Sequence, residues 1–327
     1  MRLTPRIETR IAIISWVRRT IETAKSCLFG EILQTHDGLD PRRESSLFAV
    51  YVNYDSYGLI HRYVVEQVQA LEQAGFRVIF VTQSPKVRRP ELVLPHCAKV
   101  IHRRNLGLDF GAYRLGLNWI REVNPSPRAV LLTNDSCYGY FSSIEGLESH
   151  VAEGGADLWG LTDSFQIGYH LQSYFLLISK RLFEAPSFWN FWRRMPINAA
   201  RDAIVSGGEV GLTQSVLRNG FRTGVLVPYQ DLVGNWLSER RPHYGSSRVE
   251  RNFKVLLEGA LITATPMNPT HFFWEALVED YRLPLLKRDL LKKNPERIPN
   301  LHKAADLIRK NGGDFSSTID HLRFRDR

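Results

Sequence analysis

Short apolar runs alternate with segments of helical periodicity along the first half of the chain. The runs that predict buried strands are "LFAVYVN", "FRVIFVT", "AKVIHR" and "RAVLLTN". Between them, "LIHRYVVEQVQALEQAG" and "DFGAYRLGLNWIREV" carry apolar residues at helical spacing, and the first of these segments stops at Gly75. "SIEGLESHVAEGG" predicts a further helix. Strands that alternate with helices in this way predict a parallel α/β sheet.

The second half of the chain has a different pattern. "ADLWGLTDSF" and "YHLQSYFLLISKRLF" predict strand units, whereas "SFWNFWRRM" and "GGEVGLTQSVLRNGF" predict helices. The segment 268–295 predicts helices with a break at Pro284. The residues after about 300 have weak apolar periodicity, which predicts a peripheral tail. We therefore predict a basic amphipathic segment at 1–45, an α/β domain at 46–275 and a C-terminal helical extension at 276–327.

Three aspartates follow predicted strands directly or after a short loop: Asp55, Asp109 and Asp135. In open α/β sheets, ligands bind beyond the carboxyl ends of the strands. We therefore interpret these aspartates as parts of one ligand site. The alternative is that each belongs to an ordinary turn, in which Gly, Asn and Asp are common.

The charge and the cysteines of the chain narrow the choice of partner and compartment. The formal net charge of +9 indicates an anionic partner, such as a phosphorylated substrate or an acidic membrane surface. The basic residues lack the aromatic interleaving of a module that reads nucleic acid, so we predict no nucleic-acid partner. The three cysteines form no close pair, which favours a reducing cytoplasm.

The N-terminal segment combines apolar and basic positions. The isoleucines between Ile7 and Ile21 fall at helical spacing beside several arginines, but the run "IAIISWV" is much shorter than the roughly 20 residues that span a bilayer. This pattern predicts a basic amphipathic helix that lies on an anionic membrane surface. A helix that packs on the α/β domain is the alternative.

The common nucleotide and hydrolase fingerprints are absent from the sequence. No stretch fits GxGxxG, GxxxxGK[ST], GxSxG or HExxH. The triplet Asn134-Asp135-Ser136 remains, directly after "AVLL". A carboxylate in this position can hold a divalent cation, Mg or Mn, that neutralises a diphosphate. Because only one acid is present, an Asx turn that joins the strand to the next segment stays an alternative.

Seven collinear segments resemble the rhamnan synthesis F family, bacterial glycosyltransferase-like proteins of surface polysaccharide assembly. The resemblance covers about residues 47–300. Its segments are "RNLGLDFGAYRLGL", "LLTNDSCYGYF", "DLWGLTDS", "HLQSYFLLISKRLF", "FWNFW", "GGEVGLTQSVLRNGF" and "NPTHFFWEALVEDYRLPLLKRDLLKKNPERIPN". Tyr140 departs from the pattern, in which Pro is more usual after the glycine, and this puts the shape of that loop in doubt.

The resemblance implies a GT-A-like fold, in which a mixed, mainly parallel sheet is flanked by helices. It also implies a nucleotide-sugar-dependent transferase, with dTDP-L-rhamnose as the donor and a glycan or lipid-linked glycan as the acceptor. Such an enzyme would build a rhamnan or an O-antigen at the cytoplasmic face of the membrane. No residue identifies the sugar. A non-enzymatic membrane- or RNA-binding protein and a metal-dependent phosphohydrolase remain alternatives.

Within this resemblance, roles are expected for particular residues. The expected donor-binding residues are Asp55, Arg104, Asn105, Asp109, Asn134, Asp135 and Ser136. Glu209 is the expected general base, with Asp163 and His170 as the next catalytic candidates. The expected acceptor or sugar pocket consists of Trp159, Gln172 and Ser173, and the candidate metal ligands are Asp135 and His271. Purely structural roles, such as helix capping by Asp109, stay open for these residues.

Removal of residues 1–30 is expected to weaken the binding of the chain to anionic vesicles. The isoleucine face would enter the headgroup region while its arginines are attracted to acidic lipids, so binding of the full chain should be weak and sensitive to salt. Cosedimentation with vesicles measures this, and circular dichroism shows whether the truncated chain stays folded. Equal sedimentation of the two folded chains would contradict the membrane role.

Overall fold

The computed structural model describes residues 30–153, 155–195, 201–238 and 248–324, together with residues 20, 21 and 24. Within these residues the chain forms a central sheet of nine strands and a second sheet of two. The strands are β1 (Ile32–Asp37), β2 (Leu47–Asn53), β3 (Arg77–Thr82), β4 (Lys99–Arg103), β5 (Ala129–Asn134), β6 (Cys137–Gly139), β7 (Leu158–Ser164), β8 (His170–Leu171), β9 (Phe175–Ser179), β10 (Thr223–Val227) and β11 (Leu285–Lys287).

The central sheet has the strand order β1-β4-β3-β2-β5-β9-β7-β10, and β8 pairs with β7. Adjacent strands from β4 to β5 are parallel, as are β7 and β10. β9 runs antiparallel between β5 and β7, and β1 is antiparallel to β4. The strands β2, β3, β4, β5, β7 and β10 therefore share one direction. This topology confirms the predicted mixed, mainly parallel sheet.

Helices flank the sheet. They are α1 (Arg62–Gln73), α2 (Leu108–Val123), α3 (Ser149–Ala152), α4 (Lys180–Glu184), α5 (Pro186–Arg194), α6 (Arg201–Ile204), α7 (Gly211–Arg218), α8 (Tyr229–Leu237), α9 (Arg248–Ile262), α10 (Pro269–Phe272), α11 (Trp274–Glu279), α12 (Arg288–Lys292), α13 (Ala304–Lys310) and α14 (Ser316–Arg323). Short 3-10 turns occur at Pro90–Leu92, Leu94–His96 and Leu301–Lys303. In the described part of the chain, no helix has the length and apolarity needed to cross a membrane. Apart from Thr20 and Ile21, the predicted N-terminal helix lies outside the described residues.

Burial on both faces explains why the central strands have continuous apolar sequences. Every residue of β2, β5 and β7 is buried. One apolar cluster around Tyr51 and Phe80 covers one face, and another around Val50 and Phe110 covers the other. Parallel strands that are covered on both faces lose the alternation of polar and apolar residues, so they appear as the short apolar runs in the sequence.

The edge strand β1 lies within the segment 1–45, for which no strand was predicted. Its residues are mostly exposed, and it pairs with β4 in a register that joins Thr35 to Ile101 and Asp37 to Lys99. The sequence pattern does not predict this strand, because an exposed edge strand has no apolar face to recognise.

The C-terminal residues are packed against the domain and do not form a peripheral tail. Leu285–Lys287 is a strand that pairs antiparallel with β6, within a segment predicted to be helical. Farther along the chain, Ile308, Phe315 and His321 are buried. His321 Nδ1 and Tyr138 Oη are 2.9 Å apart. Polar and aromatic side chains make much of this contact, which is why the apolar periodicity was weak. The predicted domain boundaries stay predictions.

Two predicted helices differ in extent from the observed ones. In the segment "SIEGLESHVAEGG", only Ser149–Ala152 is helical. The helix predicted to open at Gly-Gly-Glu is preceded by α6 and by a π-helical turn, Val205–Val210, which contains all three of these residues. Turns with the i to i+5 hydrogen bond are rare and frequently occur at functional sites.

Replacement of Gly116 by alanine is expected to destabilise the protein. A Cβ atom at this position of α2 would lie 2.5 Å from Val50 Cγ1 in β2, so helix and sheet would have to separate. Such overpacking costs about 1–3 kcal/mol of unfolding free energy. Gly234→Ala in α8 is the matched control, because no atom lies within 4 Å of its Cβ position and alanine should raise the stability by about 1 kcal/mol. Urea unfolding measures both effects, and equal shifts in the two variants would contradict the close contact.

Candidate functional site

The parallel strands of the central sheet end at one edge, and this edge collects polar residues. β2 ends at Asn53, β3 at Thr82, β4 at Arg103 and β5 at Asn134. Thr82 Oγ1 donates a hydrogen bond to Asn53 Oδ1 at 3.2 Å, which joins two of these ends. Because ligands of α/β sheets bind beyond the carboxyl ends of the strands, this edge is the candidate site.

Asp109 lies at this edge, in the first turn of α2. Its Oδ2 accepts a hydrogen bond from Asn134 Nδ2 at 3.0 Å, and its Oδ1 accepts one from Gln83 Nε2 at 3.2 Å. Burial, followed by the nearby charge of Asp135, raises the pKa of Asp109 to about 6. The carboxyl group is thus held in a defined orientation by two amides, and it titrates close to neutral pH.

Asp135 directly follows β5, and one of its oxygens is fully engaged by the protein. Oδ2 accepts hydrogen bonds from Asn53 Nδ2 at 3.0 Å, from the backbone N of Tyr54 at 3.1 Å and from Arg288 Nη1 at 3.2 Å. Burial raises the pKa of Asp135, and the charge of Arg288 opposes this rise. Among the described residues, Oδ1 has no hydrogen-bond partner, so this oxygen remains able to accept from a ligand.

Lys287 and Arg288 reach the same edge from the C-terminal part of the chain. β11 pairs with β6 so that Lys287 lies opposite Cys137, and the backbone N of Arg288 donates to Ser136 O at 2.9 Å. Lys287 Nζ donates to Ser136 Oγ at 3.2 Å and lies 4.3 Å from the centre of the Tyr174 ring. The small second sheet therefore determines where these two basic side chains stand.

Arg288 is a permanent cation beside the end of β5. Its Nη1 donates to Tyr63 Oη at 2.9 Å as well as to Asp135. The negative charge of Asp135 raises the pKa of Arg288 well above its ordinary value. Sequence analysis missed both basic residues because "LLKRDLL" was interpreted as part of a helix, and 153 positions separate Arg288 from Asp135.

Glu209 is presented by the π-helical turn that precedes α7. The neighbouring Gly208 lies directly on the ring of Phe110 in α2, where a Cβ atom would come within 2.8 Å of the ring. Only glycine permits this contact without a shift of the ring or of the turn. The close approach brings Glu209 toward the first turn of α2, which carries Asp109.

The carboxylate of Glu209 is oriented by the backbone before β9. Its Oε1 accepts a hydrogen bond from the backbone N of Ser173 at 2.7 Å, and the carbonyl of Ser173 accepts one from Tyr113 Oη at 3.0 Å. The charge of Glu209 also contributes to the raised pKa of Asp109. Glu209 is therefore bonded to Ser173 and acts electrostatically on Asp109.

Two further predicted catalytic residues lie on the hairpin of β7 and β8. Asp163 Oδ1 accepts a hydrogen bond from the backbone N of Tyr229 at 2.6 Å, and burial raises the pKa of Asp163. His170 Nδ1 lies 2.8 Å from Gly168 O, so this nitrogen donates to the carbonyl. The two residues are neighbours, but both have structural partners of their own.

Gln172 and His271 belong to polar networks beyond this hairpin. Gln172 Oε1 accepts from Thr162 Oγ1 at 2.7 Å, and its Nε2 donates to Asn268 Oδ1 at 3.3 Å. His271 Nδ1 lies 2.8 Å from Glu296 Oε2. Asn268 caps α10, the helix that carries His271, so the network orients this helix against β7.

The contacts of Asp55 are those of a loop-forming acid. Its Oδ1 accepts hydrogen bonds from the backbone N atoms of Tyr57 and Leu59, both at 2.9 Å. Its Oδ2 lies 3.3 Å from His61 Nε2. These bonds to backbone and to His61 lower the pKa of Asp55 in spite of burial, which has the opposite effect. Both carboxylate oxygens of Asp55 therefore have partners within the loop at residues 55–61.

Arg104, Asn105 and Trp159 are three further predicted site residues. Arg104 Nε donates to Gly30 O at 3.2 Å, and Asn105 is exposed. Trp159 is buried, with its ring stacked on His150 at a centroid distance of 4.3 Å. The structure places Trp159 in the core and Arg104 beside the segment that precedes β1.

Arg103, which precedes Arg104 in the chain, connects to the cluster through Gln83. Its side chain is fully buried and donates to Gln83 Oε1 at 3.0 Å and to Leu106 O at 2.7 Å. Gln83 in turn donates to Asp109. Sequence analysis named the neighbouring Arg104, since nothing in "HRRN" distinguishes the arginine that points inward.

The residues present do not fit a divalent-cation site. In the described part of the chain, no group of three or more His, Cys, Asp or Glu side chains is placed to hold a metal ion. One oxygen of Asp135 already pairs with Arg288, and Nδ1 of His271 pairs with Glu296. A guanidinium thus stands beside the carboxylate that was expected to bind the cation.

The comparisons with known proteins identify the class and then the family. The chain has a mainly parallel α/β sheet with acidic and basic side chains at its carboxyl edge, the edge at which proteins of this class bind ligands. A family model described as "Rhamnan synthesis protein F" matches residues 78–256, more than half of the chain. The chain belongs to this family, as the sequence resemblance predicts.

Two relatives are similar over much of their length. The virulence protein VirA of Vibrio anguillarum (strain ATCC 68554 / 775) is 26% identical over 285 residues, which cover 86% of this chain and 90% of VirA. The uncharacterized protein y4gN of Sinorhizobium fredii (strain NBRC 101917 / NGR234) is 25% identical over 194 residues, which cover 58% of this chain and 50% of y4gN.

Solved structures show a weaker similarity. A putative nucleotide-diphospho-sugar transferase from Desulfovibrio desulfuricans G20 is 13% identical with a TM-score of 0.30, covering 68% of this chain and 98% of that one. The galactosyltransferase LgtC in complex with donor and acceptor sugar analogues is 12% identical with a TM-score of 0.36, covering 80% and 95%. Residues 1–349 of S. aureus TarS are 13% identical with a TM-score of 0.37, covering 84% and 82%. The fold class follows from the sheet itself.

The variant Asp109→Asn is expected to change how stability depends on pH. The native pKa of about 6 lies above the ordinary value of 3.8, so the folded protein binds this proton more tightly than the unfolded chain does. Stability contributed by this group is therefore lost as the pH rises from about 4 to about 6, by about 1.4 kcal/mol per unit of pKa difference.

Asparagine cannot ionise, so the unfolding free energy of the variant relative to the parent should increase over this window. The asparagine amide can weaken the two hydrogen bonds from Asn134 and Gln83, but this loss of unfolding free energy does not depend on pH. It therefore cancels when the difference between variant and parent at one pH is compared with the difference at the other. Urea unfolding of both proteins at pH 4.5 and pH 7.5 provides the measurement. A constant difference between them would show that the pKa of Asp109 is not raised.

Proposed function

We propose that this protein is a glycosyltransferase that moves a sugar from a nucleoside-diphosphate donor to a growing surface polysaccharide. Membership of the rhamnan synthesis protein F family supports this function. Within it, we propose dTDP-L-rhamnose as the donor and a glycan or lipid-linked glycan as the acceptor. We further propose that the enzyme works at the cytoplasmic face of an anionic membrane, to which its basic N-terminal segment binds peripherally.

One observation carries the proposal: carboxylates and cations meet at the carboxyl edge of the sheet. The charges of Asp135, Glu209, Lys287 and Arg288 all act on Asp109. A nucleotide sugar presents hydroxyl groups, which carboxylates bind, and a diphosphate, which basic side chains bind. A non-enzymatic basic protein has no use for the acids, and a phosphohydrolase that depends on a metal would need ligands that this edge does not supply.

The arrangement supports a division between donor and acceptor. Asp109, Asn134 and Asp135 would bind the donor, because they lie at the ends of β4 and β5 beside the basic pair. Glu209 would act on the acceptor. Its Oε1 is held by Ser173 N, and Oε2 has no hydrogen-bond partner among the described residues, so Oε2 is able to accept a proton.

The proposed reaction is a displacement at the anomeric carbon. The oxygen of an acceptor hydroxyl forms a bond to this carbon while its proton passes to Glu209. The bond between the anomeric carbon and the phosphate oxygen breaks, and its electron pair stays on the nucleoside diphosphate. A positioned base of this kind contributes about 10² to 10⁴ in rate.

Incubation of the full chain with a panel of nucleotide sugars tests the proposal. A thermal shift identifies the donor that binds, and release of nucleoside diphosphate in the presence of a glycan acceptor measures transfer. We expect dTDP-L-rhamnose to give both signals. Binding to RNA or vesicles without any nucleotide-sugar signal would contradict the proposal, as would hydrolysis of simple phosphate esters alone.

The variants Asp135→Ala and Glu209→Gln are expected to differ in their effects on donor binding and on turnover. Asp135→Ala should weaken nucleotide-sugar binding as well as turnover. Glu209→Gln keeps the hydrogen bond from Ser173, so it should retain donor binding and lower kcat by about 10²-fold or more. Asp135→Ala also leaves Arg288 without its carboxylate, so a lower Tm is expected for that variant.

Glu145→Gln is the matched control, because Glu145 is exposed and the same charge is removed. Isothermal titration, steady-state kinetics and a melting curve are measured for all three variants. If Glu209→Gln folds normally and transfers sugar at the parent rate, the base lies elsewhere, and Asp163 and His170 are tested next.

A further inference from the structure

Lys287 is partly buried, and it has no acidic partner among the residues that the structure describes. Its Nζ donates to Ser136 Oγ and lies over the ring of Tyr174, and no carboxylate of the described residues is within ion-pair distance. Withdrawal of an ammonium group from water is unfavourable unless the charge is compensated. A lysine held in this way therefore indicates an anionic ligand that completes the site.

The neighbouring residue, Arg288, uses only one of its side-chain nitrogens, Nη1, in the hydrogen bonds to Asp135 and Tyr63. The planar guanidinium carries five N–H donors in all, and its other nitrogens can reach an anion while Nη1 keeps its protein partners. Arg288 can thus bind an anion without loss of the ion pair that holds it.

Both cations are held rigidly relative to the end of β5. The β6–β11 pairing sets Lys287 opposite Cys137, and the backbone N of Arg288 donates to the carbonyl of Ser136. Basic side chains held by backbone pairing are preorganised, so they need not be reoriented when charge develops on a ligand. This is the property that a metal ion supplies in other diphosphate sites.

We propose that Lys287 and Arg288 bind the diphosphate of the sugar donor and take the place of a divalent cation, so that transfer requires no metal. The inference rests on the proposed function. When the bond between the anomeric carbon and the phosphate oxygen breaks, its electron pair adds negative charge to the nucleoside diphosphate. Lys287 and Arg288 stabilise that charge, and the acceptor proton passes to Glu209 as before.

Lys287 is the residue to test, because loss of Arg288 would leave Asp135 without its partner and could prevent folding. Lys287→Met removes the charge and keeps most of the volume, and Lys287→Arg restores a cation. Lys292→Met is the matched control, since this exposed lysine, on the short helix that follows Lys287, loses the same charge. All four full-length proteins are compared by melting temperature first.

Binding is measured by isothermal titration with dTDP, dTMP and inorganic pyrophosphate, each in EDTA and in excess MnCl₂. In EDTA, the parent should bind dTDP more tightly than dTMP. Lys287→Met should weaken dTDP binding by about 10-fold or more and leave dTMP nearly unaffected, since a hydrogen bond to a charged group is lost. Lys287→Arg should restore much of the loss, and Lys292→Met should match the parent.

Sugar transfer is then measured in EDTA with the donor identified by the nucleotide-sugar panel. Full activity in EDTA and loss of activity in Lys287→Met support the inference. Activity that EDTA abolishes and MnCl₂ restores overturns it while leaving the glycosyltransferase function intact. If no nucleotide sugar is turned over but pyrophosphate still binds in EDTA through Lys287, the anion site stands and the proposed function fails.

Discussion

The ion pair between Arg288 and Asp135 is the contact on which the candidate site depends. It joins the end of β5 to a residue that comes 153 positions later, and it requires β11 to pair with β6. A buried charge that loses its partner typically costs 3–5 kcal/mol. The C-terminal segment therefore stabilises the carboxylate at this strand end, and residues beyond the family match at 78–256 are part of the candidate site.

The sequence predicts the central sheet and two of its edge acids well, for a simple physical reason. Strands that are buried on both faces must be apolar throughout, so β2, β3 and β5 are visible as continuous runs. Parallel strands bring their carboxyl ends to one edge, which places Asp109 and Asp135 in a common electrostatic environment.

The features that sequence analysis missed depend on pairing between distant segments. β1 is an exposed edge strand without an apolar face, and Lys287 reaches the site only through the β6–β11 register. Local patterns do not encode such registers. The two arginines of "HRRN" are another example. Arg103, the last residue of β4, is buried, whereas Arg104 donates to Gly30 O. The position at which β4 ends in the sheet determines which of the two side chains is buried, and the sequence alone does not show it.

The close contact between Gly208 and Phe110 joins the π-helical turn to the first turn of α2. Asp109 precedes Phe110 on one helix, and Glu209 follows Gly208 on the π-helical turn, so the two carboxyls are attached on either side of a single van der Waals contact. A displacement of the turn toward α2 would have to push the ring and, with it, the first turn of that helix. The contact therefore sets the shortest distance to which the segments carrying Asp109 and Glu209 can approach each other.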